Sequence, residues 1–519
     1  MVKRLVIIFL ALCEVSAAAA QQTSLPRIKK QGSATQFYLD NKPFLILGAQ
    51  LWNSSGWAYL LDKEWPQLKE LGANTVEVPV YWQQVEEKKG NYDFKNLDSI
   101  IAGAREHNFK LILLWFGSYK NGSSQYAPEW LLSDTKTYPR MLNAAGSEIQ
   151  VLSAISENNV QADIHAFTAL MNHLKNIDQQ QQTVIMVQVE NESGSLGTDR
   201  DYSDIATAAF KNYKGTAEQF QAESFSKYLE KVAKAGRAIY DLPMYTNVWV
   251  REHDFKRPGE YPSGGPTDNV LNIWKKNAPS LELIALDLYS AYAPTFHGFC
   301  AAYTRPDNPL FIPETGRGVD FARFQFYAFA NYKAIGIAPY GIDPFHADPH
   351  DYRNKEQLDD KFKDIAANFR LFAGAMRPIL QAQRENKIVA GAQEPGLKEQ
   401  SLELGDYNIL LQYGFPTYKD QSRLTGRAMI LELAPDEFLV LGMDAKFSFR
   451  PKTVTGFGSS EIISMEEGFY EDEKWVRKRF WNGDEVYHST LLPEGVILKV
   501  KFRKMAAAAK GSAKANFEQ

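Results

Sequence analysis

Cysteine is nearly absent from this chain: there are two in 519 residues, Cys13 and Cys300. That excludes a disulfide-stapled scaffold, so stability must come from the size of a buried core. An excess of one charge is absent too, with 58 Lys+Arg against 62 Asp+Glu and a formal net charge of −4. A nucleic-acid binder would carry a basic excess, and none is seen. Long apolar runs are lacking, since no segment reaches the roughly 20 residues that a membrane-spanning helix needs. There is no Gly-rich dinucleotide fingerprint after the first strand, no Walker loop and no Gly-x-Ser-x-Gly elbow. Nothing in the sequence calls for a cofactor. What is present is 45% hydrophobic and 23% charged residues, a globular composition that excludes disordered and collagen-like chains. Aromatics are plentiful at 13%, suited first to cores and second to sugar-binding clefts.

The first twenty residues read as a secretory signal. Lys3 and Arg4 precede an apolar stretch over 5–12, and Ala17 to Ala20 supply small residues for cleavage. Leu12 beside Cys13 is too bulky for a lipoprotein signal, so the expectation is export to the periplasm or medium, with outer-membrane lipidation the lesser alternative. Removal of this segment would leave Cys300 as the only thiol.

From 35 to 378, short apolar runs alternate with helix-like stretches. The runs lie at 44–47, 75–80, 111–115, 184–187, 244–248, 283–286, 310–312 and 334–338. Eight such units, with strands apolar on both faces, predict a (β/α)8 TIM barrel of the α/β class, with an open doubly wound sheet as runner-up. From 380 to 505 the segments are short and divided by Gly, Pro and Asp, which predicts a smaller antiparallel β-sandwich. The Ala/Lys/Gly-rich stretch at 506–519 reads as a flexible tail.

In a barrel of this kind, chemistry sits at the C-terminal ends of strands. The fourth run continues into Gln188-Val189-Glu190-Asn191-Glu192-Ser193-Gly194, and the seventh into Pro313-Glu314-Thr315-Gly316. A carboxyl at each of two strand ends is what retaining glycoside hydrolysis requires: one protonates the leaving oxygen, the other attacks the anomeric carbon. Strand alternation places Gln188, Glu190 and Glu192 on one face, so spacing alone does not choose between the two glutamates. Glu192 lies further along, beside Gly194, and is assigned as general acid/base, with Glu190 as a buried hydrogen-bond partner.

These residues resemble a known family. The stretch 187–192 is similar to the acid/base strand of glycoside hydrolase family 35 β-galactosidases. Gly72-Ala73-Asn74-Thr75-Val76, Trp82 and Gly90-Asn91-Tyr92-Asp93-Phe94 resemble that family's second strand and following loop, and Pro128-Glu129-Trp130-Leu131-Leu132 the segment after its third strand. The likeness is to the bacterial branch that carries a C-terminal β-domain. It implies a retaining exo-β-galactosidase acting on carbohydrates with terminal β-galactose, with Glu192 as acid/base, Glu314 as nucleophile and Asn191 on the sugar 2-hydroxyl. Members commonly carry Ala-Glu-Trp after the third strand, where the Glu helps recognise galactose. This chain has Lys120-Asn121-Gly122 there, and the exchange of charge bears on sugar preference.

Aromatics near strand ends complete the expected substrate-binding set with Lys120 and Asn121: Tyr81, Trp115, Tyr289 and Tyr340. Tyr289 matches a sixth-strand tyrosine that similar enzymes place beside the nucleophile. Weaker signals are discounted. His346, Asp348, His350 and Asp351 match no zinc spacing, Asp199, Asp201 and Asp204 lack the rest of a calcium loop, and Cys300 has no partner signature. Two other functions stay open on sequence alone: the same chemistry on a β-glucoside, β-glucosaminide or arabinopyranoside, and a barrel that binds carbohydrate without cleaving it.

Overall fold

A computed structural model describes residues 24–343, 358–414, 423–453, 460–486, 490–492 and 495–504. The secretory signal, the His346–Asp351 cluster and the tail lie outside the described residues.

Eight parallel strands close into a barrel: β1 (Ile46–Gln50), β2 (Thr75–Tyr81), β3 (Lys110–Phe116), β4 (Val184–Val189), β5 (Met244–Trp249), β6 (Leu283–Leu288), β7 (Phe311–Thr315) and β8 (Gly336–Pro339). The apolar run at 44–47 straddles two elements. Lys42–Phe44 belongs to a three-stranded antiparallel sheet with Arg27–Gln31 and Ala34–Leu39, and the barrel strand starts only at Ile46. The alternating strand positions feed two cores. Ile46, Ile112, Leu114, Met186, Tyr245, Leu283 and Phe311 fill the barrel interior. Leu47, Val76, Val78, Leu111, Leu113 and Leu286 face the helices.

Helices hold this outer layer through their own ends and close contacts. Thr216 and Gln219 form a reciprocal cap at the start of Ala217–Ile239, satisfying two otherwise orphaned backbone donors. The same helix packs tightly on Glu157–Asp178, because a Cβ on Gly236 would come within 2.3 Å of the Phe167 ring. Between β3 and that helix lies a two-stranded hairpin, Arg140–Leu142 with Glu148–Leu152.

The last barrel helix, Met376–Glu385, leads into a sandwich whose first strand is Ile388–Ala392. One sheet has six strands and the other four, all paired antiparallel. In Arg427–Ala434 and Glu437–Met443 the alternation again serves two cores. Ala428, Ile430, Phe438 and Val440 point between the sheets, while Met429, Leu431, Leu439 and Leu441 join the core of the barrel's helices. These two strands of the six-stranded sheet are thus buried on both faces and brace the barrel from its helical side.

Candidate active site

Strand β4 stops at Val189, and the two glutamates that follow both adopt left-handed backbone: Glu190 at φ 60° and Glu192 at φ 43°. Such conformations cost about 1–3 kcal/mol each for non-glycine residues and persist where surrounding contacts enforce them. They overturn the expectation that Glu190 and Glu192 share a face, because strict alternation ends with the extended strand. Glu190 turns away and accepts the backbone N–H groups of Ser118 (3.1 Å) and Tyr119 (2.6 Å). Gly117 makes room for it, since a Cβ there would sit 2.6 Å from the Glu190 carboxyl and 2.3 Å from the Trp115 indole nitrogen. Burial, then the neighbouring Asp163, pushes Glu190 well above the usual carboxyl range. Asn191 and Glu192 turn the other way, into the mouth of the barrel, and the Glu192 backbone N–H is held by Asn247 Oδ1 at 2.9 Å.

Glu314 reaches the same place by a different irregularity. Phe311 faces the barrel interior and Ile312 the helices, so simple alternation would send Glu314 outward. A register shift between Ile312 and Thr315 turns it in, as β-bulges commonly do. Four donors converge on its carboxylate. Gln50 Nε2 (3.0 Å), Asn191 Nδ2 (3.3 Å) and Asn247 Nδ2 (3.4 Å) donate to Oε1, and the Tyr289 hydroxyl (3.0 Å) donates to Oε2. Burial, and then the charge of Glu314, keep the Tyr289 phenol far above its ordinary value, so it remains a donor.

Asp287 of β6 lies beside Glu314 in the strand register. Carboxylate oxygens of Glu192, Asp287 and Glu314 all fall within 4.8 Å of one another. Burial and then Glu314 push Glu192 up to about 7, with Lys120 pulling the other way. Burial and the same neighbours hold Asp287 well above its usual range. Lys120 Nζ donates to Asn191 Oδ1 at 2.8 Å, which aims the Asn191 amide N–H at Glu314. The trio is the one group of described residues with oxygens close enough to gather a cation. What faces it, however, is the N–H groups of Asn191 and Asn247 and the Lys120 ammonium, protons rather than lone pairs. The residues present do not fit a metal.

Glu192 and Glu314 open into a cavity of about 650 Å³, lined also by Lys120, Asn121, Tyr289 and Tyr340. Two expected substrate-binding residues lie elsewhere. Trp115 is fully buried on the outward face of β3, where its indole N–H bonds Asp163 of the helix Glu157–Asp178. Tyr81 points inward but is roofed by Tyr126, stacked at 5.6 Å, and its hydroxyl accepts the Gly56 N–H. Both were chosen for nearness to a strand end, which does not tell an inward ring from a covered or outward one. Residues missed from sequence are Gln50, Asn247 and Asp287, each a polar residue in the C-terminal half of a largely apolar strand, and that interruption was the available signal. Trp249, His253, Tyr292 and Phe299 form the outer wall of the cavity. Among the described residues, none from the sandwich lines it.

Comparison with known proteins meets this geometry. Residues 36–270 match the model for glycosyl hydrolases family 35, and residues 365–492 match a domain of unknown function, DUF5597. The first part of the barrel is thus similar to glycosyl hydrolases family 35. A β-galactosidase from Xanthomonas manihotis is 33% identical over 195 residues, which cover 36% of this chain and 29% of that one. Beta-galactosidase 8 of Oryza sativa subsp. japonica is 28% identical over 218 residues, covering 41% and 30%. These matches span less than a third of either relative. Among solved structures, the β-galactosidase of Rahnella sp. R3 superposes with a TM-score of 0.50 at 13% identity, over 68% of this chain and 58% of that one. That likeness is one of barrel fold.

Proposed function

We propose that this protein is a glycoside hydrolase, a retaining, exo-acting β-galactosidase that removes terminal β-galactosyl residues from oligo- or polysaccharides. The observation that carries the mechanism is the spacing of Glu192 and Glu314, whose oxygens approach within 4.8 Å. Retaining enzymes hold their two carboxyls about 5–5.5 Å apart, whereas inverting ones leave about 6.5–9.5 Å for a water. Glu314, ringed by four donors, is the nucleophile. Glu192, buried and pushed up to about 7, is the acid that protonates the leaving oxygen. Once Glu314 is esterified its charge is gone, the pressure on Glu192 relaxes, and Glu192 serves as base for the attacking water. Asn191, aimed by Lys120, contacts the sugar 2-hydroxyl beside the reacting carbon.

The sugar itself is read from the family and from the relatives' names. Lys120 and Asn121 sit on the cavity wall, where the resemblance leads one to expect a carboxylate, and this favours one second reading: the same chemistry on another β-glycoside. A panel of 4-nitrophenyl β-galactoside, β-glucoside, β-glucosaminide and α-L-arabinopyranoside separates the two. Highest kcat/KM on the galactoside supports the reading, and preference for another sugar replaces it. Export through the N-terminal signal is part of the proposal. Among the described residues no helix is long and apolar enough to cross a membrane. N-terminal sequencing of protein recovered from the periplasm or medium should begin near residue 21.

A further inference from the structure

Donors are unevenly shared among the three clustered carboxyls. Glu314 has four. Asp287 has one: Asn247 Nδ2 donates to its Oδ2 at 2.7 Å. Its other oxygen, Oδ1, is buried and meets no N–H or hydroxyl donor among the described residues. A buried carboxylate oxygen without a donor is costly, while a carboxylic acid needs only an acceptor for its own O–H. That acceptor is present, since the Glu192 carboxyl lies within hydrogen-bonding reach of Asp287. Two carboxyls bond to each other only through a proton that one of them carries.

We infer that Asp287 is a proton-bearing positioning residue: as a neutral acid it donates to Glu192, fixing the Glu192 carboxyl and stabilising the carboxylate left when Glu192 gives up its proton. This rests on the glycosidase reading and adds a third carboxyl to it. In the first step the Glu192 proton passes to the glycosidic oxygen, which keeps the electron pair of the breaking C–O bond, while Glu314 bonds the anomeric carbon. The Asp287 proton stays on Asp287 and donates to the new Glu192 carboxylate. In the second step Glu192 takes a proton from water as the water oxygen displaces Glu314. Asp287 therefore never transfers its proton, and it makes Glu192 a stronger acid where the leaving group needs one.

Among the described residues, the titratable groups facing Asp287 are Glu192 beyond β4, Glu314 of β7, Lys120 beyond β3, Tyr245 of β5, Tyr289, and Tyr303 on the helix Ala293–Tyr303. Lys120 is the only cation among them, and it is already bonded to Asn191. A third negative charge at Asp287 would face two carboxyls with no cation of its own.

The test uses Asp287→Ala and Asp287→Asn in the full-length enzyme, with lactose and 4-nitrophenyl β-galactoside as probes. Alanine removes the donor, so kcat/KM on lactose, whose leaving group needs protonation, falls about 10- to 100-fold, as for a lost hydrogen bond to a charged group. The nitrophenyl substrate, which needs little acid help, changes by no more than about threefold. Asparagine mimics the neutral acid, with an N–H for Glu192 and an oxygen for Asn247, and restores most of the loss on lactose. Its alkaline limb stays within about half a pH unit of wild type, because no charge has been removed. Equal effects of alanine on both substrates would overturn the inference. So would an asparagine variant whose alkaline limb drops by about one unit or more, which marks Asp287 as ionised. If alanine does not fold, the asparagine limb decides. A wild type that cleaves neither probe nor any other β-glycoside defeats the parent reading instead.

Discussion

Arg427, at the joint between barrel and sandwich, and the carboxyls of the cleft are all ionisable groups taken out of water, and the protein treats them in opposite ways. Arg427 is fully buried, and each of its three nitrogens has an acceptor: Asn368 Oδ1 (2.8 Å), the Thr425 carbonyl (2.7 Å) and the Asp364 carbonyl (3.2 Å). Burial lowers it only to about 10, leaving it a cation at neutral pH. In the cleft, by contrast, Glu192 and Asp287 crowd Glu314 with fewer donors than they could use, on backbone strained at Glu190 and Glu192. Saturated partners make a charge into a structural tie. Unsaturated ones leave a charge whose protonation can change, which is what acid/base chemistry needs.

The sharpest break in this contrast is Glu314→Gln. The amide oxygen would still face Gln50, Asn191 and Asn247, and the amide N–H would donate to the Tyr289 hydroxyl, so the fold survives, but the proposed nucleophile is gone, and turnover should fall about 10⁵- to 10⁶-fold by steady-state kinetics. Glu192→Gln should cost about 10²- to 10⁴-fold on lactose and far less on a nitrophenyl galactoside, whose leaving group departs without a proton. Arg427→Ala tests the other side. Removing one partner from a buried charged network should cost about 3–5 kcal/mol in denaturant unfolding while leaving turnover per folded molecule unchanged. Activity loss without stability loss would dissolve the distinction.

Smaller effects sharpen it. Glu192 is pushed above its unfolded value to about 7. Stability tied to its neutral form is therefore complete below about pH 4.5 and lost as pH rises through 7. Glu192→Gln should unfold like wild type at pH 4 and be more stable by up to about 3 kcal/mol at pH 8. The alkaline limb of kcat/KM should fall near pH 7, since only protonated Glu192 works as acid. Tyr289→Phe removes one of the four donors to Glu314 and should lower kcat/KM by about 10- to 100-fold.

Much of this was legible in the sequence, for physical reasons. Parallel strands buried on both faces write continuous apolar runs, so the barrel could be read from their number and spacing, and Glu192 and Glu314 stood out as carboxyls at the ends of two of them. What could not be read was the departure from regular strand. Left-handed Glu190 and Glu192, and the bulge before Thr315, decide which carboxyl faces the cleft, and alternation predicts neither. The roles of Asn247 and Asp287 depend on register between β5, β6 and β7, which no single run encodes. Trp115 and Tyr81 were misplaced because a ring near a strand end can point to a helix or lie beneath another ring.

The most direct measurement is trapping with 2-deoxy-2-fluoro-β-D-galactosyl fluoride, followed by peptide mass spectrometry. A retaining enzyme with Glu314 as nucleophile should lose activity with time and carry one fluorogalactosyl group on Glu314, while the Glu314→Gln protein takes none. A label on any other residue, or none while the wild type turns over β-galactosides, would contradict the account.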